Sequence, residues 1–293
     1  MTVTVAVIGL GRMGLPIAER LYRNGINVIA TSRSAETREN ARKAGFAVVD
    51  AIPQAVAAAS TVLVSVFDTA ALTATLTGTE GIFASARKGT VIVDLGTSDV
   101  DETKQLAAEA EKQGYFYVDA PVSGGTRGAE GGTLTIMAGG RPEAIAQAQP
   151  ILDILGRTNH MGQSGSGQIT KLVNQLILGE TLVAVAEGLN LAIALGLEPG
   201  RVREALLGGF AESRVLREHG QRMVDQNFEP GGSVAVFSKD LGLVEKASAQ
   251  LPVSFPGFDV AQSVYRRAVE TGLSNRDQSI IFECYKDGTG GRL

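Results

Sequence analysis

Lys171 and Asn174 stand three residues apart in a stretch so apolar that a lysine there needs a reason. On a helix, that spacing puts both side chains on one face. A lone helical lysine is ordinarily a solvated charge. From Gln168 to Leu195, however, only Lys171, Glu180 and Glu187 are charged. A lysine buried there would have its pKa lowered from about 10.4, toward values that allow proton exchange near neutral pH. An adjacent amide can fix the oxygen that gains or loses the proton. Read from the residues alone, the pair could serve proton exchange at a bound oxygen.

Two further groups carry polar chemistry. In Asp119-Ala120-Pro121-Val122-Ser123-Gly124-Gly125, at the end of an expected strand, Ser123 offers a hydroxyl and the glycines offer accessible main-chain N–H groups. Together they could cradle a carboxylate, or simply make a turn. Lys239-Asp240, after Phe237, would on its own pass for a surface ion pair.

A dinucleotide is implied at the N-terminal end. Gly9-Leu10-Gly11-Arg12-Met13-Gly14 follows an expected strand and opens an expected helix. Glycines in that context permit the tight turn, the approach of main chain to a pyrophosphate and close helix–strand packing. The helix N-terminus attracts the phosphates. The second strand then ends in Thr31-Ser32-Arg33-Ser34. An NAD-selective site usually has an acidic residue there to accept from the ribose 2′-hydroxyl. Ser32 takes that place, and Arg33 could pair bidentately with a 2′-phosphate, with Ser32 and Ser34 as added donors. NADP(H) is therefore expected as the preferred cofactor, with NAD(H) possible.

The elements that must position these groups show a change of pattern near Gly162. Before it, β-branched runs at Val3–Ile8, Asn27–Thr31, Thr61–Val66, Val91–Leu95, Tyr115–Asp119 and Thr133–Ala138 alternate with amphipathic stretches such as Gly14–Asn24, Ala35–Ala44 and Val100–Gln113. That alternation predicts an α/β, Rossmann-type doubly wound domain, placed at residues 1–163. Residues 164–293 read as an all-helical substrate and dimerisation domain built on one long central helix from Gln168 to about Leu195. A helix so apolar must be covered on several sides; the rest of its domain is the expected cover, and a second subunit could add to it. Breaks are expected at Gly208-Gly209 and Pro230-Gly231-Gly232, and the Gly-rich tail Asp287–Leu293 is expected to fray.

Bulk properties narrow the class. A chain of 293 residues with net charge −4 has neither a basic stripe nor a charge block, so neither nucleic acid nor a membrane is an expected partner. The single cysteine, Cys284, and the absence of a secretory pattern at the N-terminus point to a cytoplasmic setting. Two distant histidines, His160 and His219, give no metal site.

These motifs in this order resemble the β-hydroxyacid dehydrogenase family over almost the whole chain. The resemblance is carried by the early glycine run and by Asp119–Gly125. It continues through Gly132-Thr133-Leu134 with Met137 and Gly139-Gly140, then Gly167 with Lys171 and Asn174, and finally Lys239-Asp240. Gly208-Gly209-Phe210-Ala211 and Asn227–Gly231 are most like the tartronate semialdehyde reductase and threonate dehydrogenase branches.

The resemblance implies Lys171 as the general acid/base, with Ser123, Gly124 and Gly125 binding a substrate carboxylate and Asn174 hydrogen-bonding the substrate. It implies Lys239 beside the nicotinamide, and Thr97 near both nicotinamide and substrate. Val66 and Phe67 would join Gly9, Leu10, Gly11, Arg12, Met13, Gly14, Ser32, Arg33, Ser34, Thr97 and Lys239 around the cofactor. It further implies a small carboxylate substrate and a homodimer or homotetramer. The sequence departs from the family pattern at Gly96, where serine is usual, at Val66-Phe67-Asp68, where Met-Leu-Pro is common, and at Gln278, where histidine is frequent; Gln278 and Ser213 are candidates to meet extra substrate hydroxyls. Alternatives are a 3-hydroxyisobutyrate or threonate dehydrogenase, an imine reductase of the same architecture, and a non-catalytic cofactor-binding protein.

Overall fold

The computed structural model describes residues 3–229, 231–249 and 251–285. Pro230 and the tail Asp287–Leu293, expected to break and to fray, lie outside the described residues. The chain divides into two compact units, Met1–Lys171 and Leu172–Leu293. That division falls inside the long helix, eight residues beyond the expected boundary at 163/164.

The first unit holds strands β1 (Thr4–Ile8), β2 (Asn27–Thr31), β3 (Ala47–Val48), β4 (Thr61–Val64), β5 (Val91–Asp94), β6 (Phe116–Asp119), β7 (Val122–Ser123), β8 (Leu134–Gly139) and β9 (Gly156–Gly162). Among the described residues they form one sheet in the order β3-β2-β1-β4-β5-β6-β8-β7, with β9 paired to β8. All neighbours from β3 to β6 are parallel. This is the doubly wound order, with its reversal at β1/β4, beyond whose carboxyl ends such sheets bind ligands.

The strand period of two explains why both faces are covered. Val5 and Val7 of β1 enter one apolar cluster with Leu63, Val91 and Val93. Ala6 and Ile8 enter another with Val62, Val64 and Ile92. Neighbouring residues on one strand thus serve opposite faces, and helices must close each side.

Three strands depart from the expected pattern. β3 is only two residues long, and β9, Gly-Arg-Thr-Asn-His-Met-Gly, shows no apolar alternation; its parallel pairing with β8 makes it a strand. β7 carries Ser123, expected in a loop; it pairs antiparallel with β8, Ser123 opposite Thr135.

The long helix spans Ser166–Ala194, 29 residues. The remaining described elements of the second unit are the helices Pro199–Leu206, Arg214–Val224, Val234–Ser248 and Pro256–Glu270 and a 3-10 helix, Gln278–Tyr285. By length and composition, the long helix alone among the described elements could cross a membrane. Its polar side chains argue otherwise: Gln168, Lys171 and Gln175 are buried and hydrogen-bonded within the protein. The helix is not covered all round, however. Ile169, Val173, Ile177 and Leu191 are 48–60% exposed in the single chain.

Candidate functional site

The glycine turn divides into positions explained by packing and one that is not. Gly9 has φ of +96°, and a Cβ there would collide with the Ser65 carbonyl; one at Gly14 would collide with the Gly9 carbonyl. These glycines let β1, β4 and the helix Gly14–Arg23 approach closely. A Cβ on Gly11 would meet nothing within 4 Å, and Gly11 has no positive φ. The protein's own packing does not require glycine there, whereas a pyrophosphate lying against the main chain does. Met13, at the N-cap, makes no side-chain capping bond. Leu15 N donates to the Gly11 carbonyl at 3.1 Å and Pro16 has no N–H, so an anion here would be held by the main chain of the turn and the positive end of the helix. The residues present fit a dinucleotide.

At the end of β2, Ser32 is half-buried and Arg33 exposed. Ser34 accepts a hydrogen bond from Thr37 N at 3.2 Å and caps the helix Ala35–Arg42. Val66 is half-buried after β4, and Phe67 is 55% exposed. Asp68, standing where the family pattern has proline, accepts from Ala71 N at 2.7 Å and caps the helix Thr69–Thr77. The departure is thus an N-cap, a role that proline cannot fill.

Lys171 is 7% exposed, and its Nζ donates to the Val122 carbonyl at 2.9 Å. The candidate proton carrier therefore stands beside the residue preceding Ser123. Gly124 and Gly125 have φ of +132° and +62°, conformations that favour glycine, and they lead into the short helix Gly125–Gly131.

Two buried carboxylates hold the start of the long helix. Asp119, at the end of β6, accepts from Gly165 N at 2.8 Å and Gln168 N at 3.0 Å. Burial is the largest influence on this carboxyl and raises it to about 6, against the main-chain hydrogen bonds, which lower it. Gln168 then donates to Asp94 Oδ2 at 3.2 Å and to the Gly96 carbonyl at 3.0 Å, and accepts from Ser98 N at 3.0 Å. The loop carrying Thr97 is gripped on both sides by one side chain, one helical turn before Lys171. Gly96 also donates its N–H to Asp94 Oδ1 at 2.9 Å.

In the second unit, a chain of side chains links Asn174 to Lys239. Asn174 Nδ2 donates to Gln175 Oε1 at 2.8 Å, Gln175 Nε2 donates to Asp240 Oδ2 at 2.6 Å, and Lys239 Nζ lies 2.8 Å from Asp240 Oδ1. With side chains 19% and 5% exposed, Lys239 and Asp240 are not a surface ion pair.

Both positions suggested for extra substrate hydroxyls make contacts within their own domain. Ser213 Oγ caps the helix Arg214–Val224 by accepting from Leu216 N at 3.0 Å. Gln278 lies 3.4 Å from His219 Nε2 and follows Asp277, which accepts from Gly231 N at 2.9 Å. Burial would raise the Asp277 carboxyl; the nearby His219 ring, with hydrogen bonds from Ser279 and Gly231, outweighs it and holds the group well below the usual carboxylate range.

Sequence reasoning missed Asp94, Gln168 and Gln175 as supports. A signal was present: Gln168, Lys171 and Gln175 recur at helical spacing on an otherwise apolar element, and all three are buried.

Known proteins match most of the chain. Residues 4–165 match the family described as the NAD binding domain of 6-phosphogluconate dehydrogenase. Residues 165–285 match the family described as NAD-binding of NADP-dependent 3-hydroxyisobutyrate dehydrogenase. The 2-hydroxy-3-oxopropionate reductase of Escherichia coli (strain K12) is 35% identical over 94% of each chain. The chain belongs to the β-hydroxyacid dehydrogenase family. Two solved structures of similar proteins superpose closely on this β-hydroxyacid dehydrogenase. Mycobacterium tuberculosis 3-hydroxyisobutyrate dehydrogenase with L-serine has a TM-score of 0.87 at 29% identity, over 98% of this chain and 100% of that one. Psf3 in complex with NADP+ and 2-OPP has a TM-score of 0.89 at 26% identity, over 96% and 99%. As a β-hydroxyacid dehydrogenase, the protein is an oxidoreductase that acts on CH–OH donors with a pyridine nucleotide.

Proposed function

We propose that this dehydrogenase interconverts a small β-hydroxy carboxylate and its semialdehyde with NADP(H), tartronate semialdehyde and glycerate being the favoured pair. The observation that carries the reading is the 2.9 Å contact between Lys171 Nζ and the Val122 carbonyl. That contact is with the residue immediately before Ser123, Gly124 and Gly125, the proposed carboxylate binders, and so supports a shared site. A compact substrate can engage both. The 35% identity to a 2-hydroxy-3-oxopropionate reductase supports the same substrate class.

The nicotinamide, when bound, supplies or takes the hydride at the β-carbon. In the reducing direction, the Lys171 ammonium gives its proton to the aldehyde oxygen as that oxygen gains charge; in oxidation, neutral Lys171 takes the hydroxyl proton. Asn174, three residues along the same helix, would hold that oxygen by its amide. Thr97, braced by Gln168, would order the nicotinamide end.

Methyl esters test the carboxylate assignment. An ester lacks the anion that Ser123-Gly124-Gly125 would bind, and losing a charge-assisted hydrogen bond costs about 1.5–3 kcal/mol. The expected kcat/KM for the ester is therefore at least about tenfold below that of the free acid. Equal values, or turnover only of carbonyls without a carboxylate, would move the assignment toward imine reduction.

NADP selectivity is tested at Arg33, whose guanidinium is exposed at the end of β2. Arg33→Ala should weaken NADPH by about tenfold or more, the value of a charge-assisted pair, and leave NADH nearly unchanged. Equal affinity of the wild type for both nucleotides would overturn the preference.

A further inference from the structure

We infer that Arg38, which need not touch the cofactor, is a positioning residue that sets the discrimination between NADP and NAD. The inference rests on the proposed NADP selectivity and deepens it. Arg38 lies in the helix that follows the Ser32-Arg33-Ser34 segment, with its side chain only 16% exposed. Its guanidinium faces back to that segment: one nitrogen donates to the Ser32 carbonyl at 2.6 Å and to the Arg33 carbonyl at 3.0 Å. Nε donates to Asp50 Oδ1 at 3.1 Å, and Arg42 reaches the same oxygen at 3.1 Å.

Two consecutive carbonyls are thus turned toward Arg38. The Ser34 hydroxyl accepts from Thr37 N and secures the other end of the segment. Among the described residues no side-chain hydrogen bond or ion pair holds Arg33, whose main chain alone is held. A 2′-phosphate needs the exposed guanidinium of Arg33 and the Ser32 hydroxyl in one fixed arrangement. Ordering them beforehand removes an entropy term from binding. The ribose of NAD makes no such demand on Arg33, so the brace matters unequally for the two cofactors. The Asp50 contacts, on a carboxylate 70% exposed, add geometry more than energy.

Arg38→Met keeps the stem and removes the fork; Arg38→Lys restores a cation able to reach a carbonyl but not the planar, multiple contact. The measurement is nucleotide binding by fluorescence titration of wild type, Arg38→Met, Arg38→Lys and Arg33→Ala, each with NADPH and NADH. Arg38→Met should raise the NADPH Kd by about five- to tenfold, less than one charge-assisted pair at its strongest, with NADH changed less than about twofold and Arg38→Lys between wild type and Met. Retained NADH binding also shows that the variant is folded. Proportional losses for both nucleotides would make Arg38 a general structural residue and overturn the inference, as would unchanged binding of both. A wild type without preference, indifferent to Arg33→Ala, would sink the NADP reading itself. A preference abolished by Arg33→Ala but kept in Arg38→Met would sink only the role of Arg38.

Discussion

Replacing Lys171 by methionine is expected to abolish turnover while leaving nucleotide affinity near its wild-type value. Positioned acid–base groups contribute about 10²–10⁴-fold in rate, and the fall should appear in kcat rather than in cofactor binding. The separation follows from where the side chain sits. Lys171 is buried on the long helix and donates to Val122, whereas the proposed nucleotide contacts lie at the glycine turn, the end of β2 and the loops that follow β4 and β5. Methionine keeps most of the volume, so the core should not open a large cavity. The Val122 carbonyl, only half-buried, can turn to water for its lost donor. Single-turnover rates and a parallel NADPH titration are the measurements. Turnover within a few-fold of wild type would leave Lys171 as a structural strut for β7.

The strands that were legible are those with β-branched runs. Asn27–Thr31 forms over the residues expected, because a fully parallel interior strand has to be apolar on both faces. β9 was not legible, since its residues suit a loop and only pairing with β8 holds them extended. Ser123 was legible as a polar group in a glycine-rich context, but its place on a two-residue strand depends on the remote partner Thr135. Lys239 and Asp240 show the same limit. Adjacent opposite charges look like a surface pair until tertiary packing buries them and brings Gln175, from another helix, onto Asp240. Local spacing thus located the residues able to carry charge. Their partners lie far away in sequence, such as Gln168 with Asp94 and Asp119 with Gly165, where periodicity has no reach.

Asp119 provides the second large effect, because one buried carboxylate holds the first turn of the helix that bears Lys171. Each oxygen receives a main-chain N–H, Oδ1 from Gly165 and Oδ2 from Gln168. Asn can accept at only one of the two positions, and its NH₂ would face an N–H donor at the other. There is no room to adjust, since added atoms on Gly139 or Gly167 would already strike the Asp119 carboxyl. Asp119→Asn should shift the helix start and lower kcat on the order of 10²-fold, the scale of a misplacement near 1 Å. The pH dependence gives a sharper test, because burial raises this carboxyl to about 6. As pH falls through that value, the wild-type group takes a proton, loses an acceptor position, and kcat should fall with an apparent pKa of about 6. The effect on stability has the opposite sign. A raised folded-state pKa means that the native protein binds this proton more readily than the unfolded chain does. The contribution of Asp119 is therefore most favourable below the ordinary carboxylate range and is lost as pH rises through about 6. Activity should consequently decline between pH 7 and 5 without a matching loss of melting temperature, and Asp119→Asn should flatten that limb of the profile. A decline that tracks melting temperature, or a limb unchanged in the variant, would assign it to acid unfolding or to another group.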